Sequence, residues 1–338
     1  MKQVWITEAG APRVLQVRDA PDPVPGPGEV CIVVEAIGVN FADIMGRLGV
    51  YPDAPRIPYV PGYEVAGRVE SVGEGVDAGY VGLDVMALLQ TGGYSERVCV
   101  PAYQIVPRPI NMPVEHAAGF LVAYLTAYAG LVAMAGIRRG ERVLIHAAAG
   151  GVGLAAVDVC RIFEATIYGT ASAGKHEFLH TWGVQHTLGY RGFQREIMRL
   201  TGGDGVHIAL DTIGGRSWLH SFRSLSPGGR LVVAGVFKLA PRLRRSWWAM
   251  LRFGLQTPWL AFNPVALANS NKGVMGVNLA RLTDNPALLQ GWIDALLEWY
   301  AAGRLRVRVD RVFALRDAPA AHHYMQSRQN VGKVILMP

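Results

Sequence analysis

Cysteine is scarce in this chain. Its three copies, Cys31, Cys99 and Cys160, lie far apart in the sequence and form no C-x-x-C pair. That spacing excludes a disulfide framework and a cysteine-rich zinc site, and it reads as buried thiols in a reducing compartment. Histidine offers no substitute. His116 stands alone and His322 and His323 are adjacent, a pattern of surface or structural histidines rather than of metal ligands. The basic, apolar and small-residue succession of a signal peptide is missing too: "MKQVWITEAGAPRVLQV" alternates like a pair of strands, and a cytoplasmic location is the expectation.

There is no long polar tract, no internal repeat and no low-complexity segment. With 51% hydrophobic and 17% charged residues, the composition excludes a disordered or fibrous chain. The formal charge of +7 attracts phosphates. Basic residues do not interleave with aromatics along any nucleic-acid module, however, so no nucleic-acid partner is expected and a phosphorylated cofactor is the more economical one. One uncharged run, "AAGFLVAYLTAYAGLVAMAGI" at 117–137, is long enough for a membrane span. Its Ala, Gly, Tyr and Thr content predicts buried helices at a domain junction instead.

What is present is glycine, 40 residues, and proline, 20, in a chain of 338. That length predicts two domains with a ligand cleft between them. Up to about residue 120 the chain reads as short strands such as "EVCIVVEAIGV" and "EVAGRVESVG", broken by Pro and Gly. From about 140 it alternates strand and helix: "RVLIHAA" then "GLAAVDVCRIFEA", "TIYGTA" then "KHEFLHTWG". Such alternation describes a parallel sheet covered by helices. A helix-like stretch at 286–303 closes this region, and the tail returns to strands, ending in "GKVILMP". The expected fold is α/β: a doubly wound Rossmann domain at 123–304, inserted in a β-rich domain built from 1–122 and 305–338.

The segment "LIHAAAGGVG" carries the chemistry. A dinucleotide turn needs a strand, small residues where backbone meets pyrophosphate, and a helix N-terminus aimed at the anion. Ala148, Gly150 and Gly153 take the three glycine positions of G-x-G-x-x-G, with Gly151 and Val152 between them, so alanine replaces the first glycine. A Gly-rich turn after a strand also occurs in many α/β folds, and context has to decide. About twenty residues on, an NAD site places Asp or Glu. Here "YGTASAGKH" has no acid and offers Ser172 and Lys175, a hydroxyl and a cation suited to a 2′-phosphate. Tyr190 in "LGYR" is a neighbour for adenine or phosphate. NADPH is therefore expected over NADH.

"PGYEVAGRVESVGEGV", "LTAYAGL", "VLIHAAAGGVGLAAV", "GTASAGKHEFL", "LDTIGG", "GRLVVAGVF" and "NVGKVIL" stand in an order that resembles the zinc-independent medium-chain dehydrogenases/reductases. The likeness spans nearly the whole chain. It is to the quinone oxidoreductase (zeta-crystallin-like) branch, and within it to the synaptic-vesicle amine-transport protein homologues. The resemblance implies a GroES-like fold for the β-rich domain. Where zinc alcohol dehydrogenases have a "GHE" histidine ligand, this chain has Gly62, Tyr63 and Glu64, and Asn40 stands near the position of a cysteine ligand. No catalytic metal is expected.

The resemblance also implies site residues. Asn40, Tyr51 and Asp43 match positions the family places beside the nicotinamide, with Tyr51 and Asn40 orienting the acceptor oxygen; the alternatives are a turn cap for Asn40 and a helix-start residue for Asp43. Thr126 would contact the cofactor's carboxamide or ribose side. Gly235, Val236 and Asn278 fall where the family's strands run beneath the nicotinamide, and Asn330 would come from the returning tail. The implied reaction is hydride transfer to a small electrophile, a quinone or enone, in a homodimer. An enoyl-thioester reductase resembling polyketide synthase domains is a variant. The stretch 237–267, with Arg242, Arg244, Arg245, Arg252, Trp247, Trp248 and Trp259, suits a lid, a dimer surface or, at 240–262, a peripheral membrane contact. A lipid-binding protein with weak catalysis is the competing reading.

Overall fold

The computed structural model describes residues 1–235, 262–283 and 285–338. The chain forms two units: Met1–Ala123 with Leu282–Ala301 and Val307–Pro338, and Tyr124–Arg281 with Ala302–Arg306.

The first unit opens with the antiparallel pair β1 (Lys2–Ile6) and β2 (Leu15–Asp19). The eleven-residue β3 (Glu29–Val39), rich in Val and Ile, is the spine of the unit's main sheet. It leads through Asn40 into the short helix α1 (Phe41–Arg47). Then come β4 (Glu64–Val72), β5 (Asp84–Leu88), β6 (Arg97–Pro101) and β7 (Ile105–Pro107). β3 pairs antiparallel with both β4 and β6. That pairing sets Cys31 directly opposite Cys99, so two cysteines distant in sequence are neighbours in space.

The uncharged run at 117–137 is divided. α2 (Val114–Ala118) stops at Gly119, α3 (Leu121–Tyr128) follows, and a π-helical turn covers Ala129–Met134. Among the described residues no helix is long and apolar enough to cross a membrane. The chain passes from the first unit to the second within α3, between Ala123 and Tyr124.

The second unit alternates β8 (Arg142–Ile145), α4 (Gly151–Ile162), β9 (Thr166–Thr170), α5 (His176–Trp182), β10 (His186–Leu188), α6 (Phe193–Leu200), β11 (Val206–Asp211), α7 (Arg216–Arg223), β12 (Leu225–Val233) and β13 (Gly273–Gly276). Its strands lie in the order β10-β9-β8-β11-β12-β13 and all neighbours are parallel. This is the doubly wound Rossmann arrangement, whose order reverses between β8 and β11. Leu144, Ala209 and Leu231 from the sheet pack with Phe193, Ile197, Trp218 and Phe222 from the helices.

The tail supplies β14 (Val309–Ala314) and β15 (Lys333–Met337) to the first unit, completing a sheet ordered β14-β15-β3-β4-β5-β7. Both chain ends thus build the GroES-like unit. The expected boundary at 304 needs correction. Helix Pro286–Ala301 belongs to the first unit, with Leu289, Ile293 and Leu296 buried and Tyr300 edge-on to Phe120 at 5.9 Å. Residues 302–306 return to the second unit because Arg306 is bound there. Its backbone and guanidinium donate to buried Asp158 at 2.7–3.1 Å, and it stacks over Trp182 at 4.2 Å. Val236 and the Trp and Arg residues of 242–259 lie outside the described residues.

Candidate active site

In the second unit the turn after β8 is shaped by sterics. Gly150 caps α4 in extended conformation, and the first intrahelical bond runs from Leu154 N–H to Gly150 O at 2.8 Å. The N–H groups of Gly151, Val152 and Gly153 precede it and supply the positive end of the helix to an anion. A Cβ on Gly153 would lie 2.4 Å from Ala147 O and 2.6 Å from Ala148 C, so only glycine lets helix and turn approach this closely. The missing first glycine has a compensation. Ala148 is fully buried against β9, where a Cβ on Gly169 would come within 3.0 Å of the Ala148 methyl. The neighbouring Ala147 takes the left-handed conformation, φ 50°.

Beneath this turn lies a buried polar chain that sequence reading missed. Asp211 Oδ2 accepts from Ser221 Oγ at 2.7 Å, Ser221 Oγ pairs with His146 Nε2 at 2.9 Å, and His146 Nδ1 with Thr170 Oγ1 at 2.8 Å. It clamps the ends of β8, β9 and β11 together at the point where strand order reverses. Asp211 also accepts the N–H groups of Ile213 and Gly214, at 2.8 and 3.2 Å. The available signal was polar residues, His146, Thr170 and Asp211, at or just past the ends of three apolar strands.

Most of the expected cofactor residues gather on this same sheet edge. Ser172 and Lys175 follow β9 in a 3₁₀ turn, exposed and half-buried respectively, and the first acid after β9 is Glu177, inside α5. Half-buried Tyr190 follows β10, Gly235 follows β12, and Asn278 follows β13, where it caps Ala280 N–H at 3.2 Å. Thr126 lies half-buried in α3. Asn330 is in the first unit, with its amide donating to Gly332 O at 2.9 Å.

The first unit holds a second buried polar cluster, built from residues remote in sequence. Lys333 at the start of β15 directs its ammonium to Glu64 Oε1 at 2.7 Å, Asn40 Oδ1 at 2.8 Å and Val39 O at 3.2 Å. Asn40 Nδ2 donates to Glu64 Oε1 at 2.9 Å and to Gly38 O at 3.2 Å. Glu64 Oε2 accepts Val122 N–H at 2.9 Å. Gly38 makes room for the carboxylate, since a Cβ there would sit 2.4 Å from Glu64 Oε1. Both amide hydrogens of Asn40 are therefore engaged within the protein. The direct contact with an acceptor oxygen expected for Asn40 is revised: its side chain is a fixed member of this cluster.

Asn40 also caps α1, and Asp43 reaches back to Asn40 N–H at 2.7 Å, as half of a capping box, and across to Gly62 N–H at 3.0 Å. Complete burial pushes the Asp43 carboxyl up to about 7, against the opposing pull of those N–H groups and of Lys333. Tyr94 bonds His322 Nε2 at 2.9 Å. His322, read from sequence as surface or structural, is fully buried, and burial with nearby Arg47 holds its pKa well down. Half-buried Tyr51 meets Tyr63 edge to face, 5.9 Å between ring centres.

Comparison with known proteins matches residues 26–110 to the alcohol dehydrogenase GroES-like domain and 182–336 to the zinc-binding dehydrogenase family. The chain is 40% identical to the synaptic vesicle membrane protein VAT-1 homolog of rat, covering 96% of this chain and 80% of that one. Among solved structures it resembles mycobacterial Rv1454c complexed with NADPH, at 31% identity, full coverage of both chains and a TM-score of 0.87. A quinone oxidoreductase of Pseudomonas syringae pv. Tomato DC3000 gives 30%, 100% and 99% coverage, and 0.85. The CurK enoyl reductase gives 31%, 99% and 98%, and 0.83.

A zinc ion does not suit the side chains found here. Glu64 is already paired with an ammonium, Asn40 and Tyr63 are poor ligands, and among the described residues no three His, Cys, Asp or Glu converge. A nicotinamide dinucleotide suits the second unit, whose α4 N-terminus and glycine turn provide a backbone cradle.

Proposed function

Because the chain belongs to the medium-chain dehydrogenase/reductase family, in its quinone oxidoreductase and VAT-1-like branch, we propose that it is an NADPH-dependent, zinc-independent reductase of quinones or α,β-unsaturated carbonyl compounds. The coarser part, an oxidoreductase with a nicotinamide cofactor, follows from the family; the cofactor choice and the acceptor class are the proposal.

The observation that carries it is the turn after β9. No carboxylate stands there to hold a ribose 2′-hydroxyl, and Ser172 and Lys175 offer a hydroxyl and a cation to a phosphate. Ala148 and Gly150 to Gly153 would hold the pyrophosphate, with Tyr190, Thr126, Gly235, Val236 and Asn278 on the same cofactor. When bound, NADPH supplies a hydride. Conjugated acceptors take hydride at carbon and leave negative charge on oxygen, so the protein has to stabilise an oxyanion and admit a proton from water. Tyr51 belongs to that acceptor region; Asn40 and Asp43 hold its frame. An enoyl thioester is an acceptor of the same electronic type, and the likeness to CurK favours it as the second reading.

Tryptophan fluorescence titration with NADPH and NADH, followed by NADPH oxidation with a small quinone and then an enone, tests the proposal. NADPH should bind about tenfold or more tightly than NADH, and one acceptor class should be turned over. Lys175→Glu should abolish the preference; a preference that survives it would mean the phosphate is held elsewhere. Tight binding without turnover of either acceptor would shift the assignment to the enoyl thioester.

A further inference from the structure

We propose that the Tyr63 hydroxyl is the hydrogen-bond donor to the carbonyl oxygen of the acceptor. The inference rests on the reductase reading and deepens it by naming a group no comparison assigns.

The first unit's polar cluster narrows the donors by elimination. Lys333 directs its ammonium to three acceptors, Asn40 directs both amide hydrogens to Glu64 and Gly38, and Tyr94 is paired with His322. Two phenols remain. Tyr59 and Tyr63 are 6% and 7% exposed, and among the described residues neither hydroxyl has a hydrogen-bond partner. A buried hydroxyl without a protein partner is costly, and a protein that keeps one is holding it for a water, for a ligand atom or as strain.

The two are not equivalent. Tyr59 Oη is pressed on α1, where a Cβ on Gly46 would lie 2.1 Å away, so the helix backbone walls it in. Tyr63 instead packs edge to face with half-buried Tyr51, the residue already placed with the acceptor. Burial and the neighbouring Asp43 charge push the Tyr63 phenol far above its usual range. It therefore stays protonated and gives a hydrogen bond rather than a proton. The two electrons reach the acceptor with the hydride from NADPH, the proton comes from water, and Tyr63 retains its own.

Tyr63→Phe isolates the hydroxyl. A donor role predicts unchanged NADPH affinity by fluorescence, a melting temperature equal to or above wild type, and a kcat loss that depends on the acceptor. An enolate is more basic than a hydroquinone anion and draws more from a hydrogen bond. The loss should be about a hundredfold for an enone and smaller for a quinone. Tyr59→Phe should keep wild-type kcat. Equal losses with both acceptors, a lowered melting temperature or no loss at all would overturn the proposal. A wild type that turns over no quinone, enone or enoyl thioester would overturn the reductase reading and this inference with it.

Discussion

Each unit buries a polar cluster at its strand ends, and these two are built on opposite principles. In the second unit, His146, Thr170, Ser221 and Asp211 form a chain of hydroxyl and imidazole contacts around one carboxylate that also takes two backbone N–H groups. In the first, Lys333, Glu64 and Asn40 are held by a buried ion pair at 2.7 Å. A chain of hydroxyl and imidazole groups can shift and re-pair when one link is lost. A buried ion pair cannot, because either partner alone is an uncompensated charge. The glycine turn after β8 is thus held by replaceable links and the Asn40, Glu64 and Lys333 cluster by an irreplaceable one.

The sharpest way to break that contrast is Lys333→Met. It should destabilise the protein by about 3–5 kcal/mol in denaturant unfolding. The double variant Lys333→Met, Glu64→Gln should recover part of the loss; if it does not, the ion pair is not what makes the cluster brittle. Gly153→Ala comes next. The new methyl meets backbone at 2.4–2.6 Å, so overpacking should cost about 1–3 kcal/mol and weaken NADPH binding in a fluorescence titration. Unaltered affinity would show that the turn is not the cofactor cradle.

Ser221→Ala should cost only about 1 kcal/mol. His146 Nε2 and Asp211 Oδ2 are 3.6 Å apart and need little movement to bond directly. A loss as large as that of Lys333→Met would erase the distinction between the clusters. The smallest effect is a pH slope. Asp43 holds its proton up to about 7 in the native state, against 3.8 as its ordinary value. Its contribution to stability is full below about 3.8 and is lost as pH rises through about 7. The wild-type advantage over Asp43→Asn should therefore shrink across that window in unfolding titrations, and a constant difference would assign the slope to other groups.

Much of the second unit was legible because its signals are local. Strand and helix periodicity, the small residues at 148–153 and the acid-free turn at 172–175 each fall within a few residues, and the folded unit places them on one sheet edge. The first unit was less readable. Asn40 carried two readings, cap and ligand contact, and only Lys333, 293 residues away, shows where its amide points. Likewise Ala148 departs from the glycine pattern, and its tolerance depends on Gly169 across the sheet.

The sequence by itself determined the two-part α/β plan, the strand-turn-helix with its small residues at 148–153, and the acid-free turn that carries Ser172 and Lys175. Periodicity, turn residues and side-chain type act over a few residues and need no partner to be read. Only the tertiary structure decided that helix Pro286–Ala301 joins the GroES-like unit, that His322 is buried on Tyr94, and that Asn40 is bonded inward while the buried Tyr63 hydroxyl has no partner among the described residues. Those outcomes depend on which distant donors and acceptors the topology brings within 3 Å of one another, and hydrogen-bond satisfaction is settled only in the folded chain.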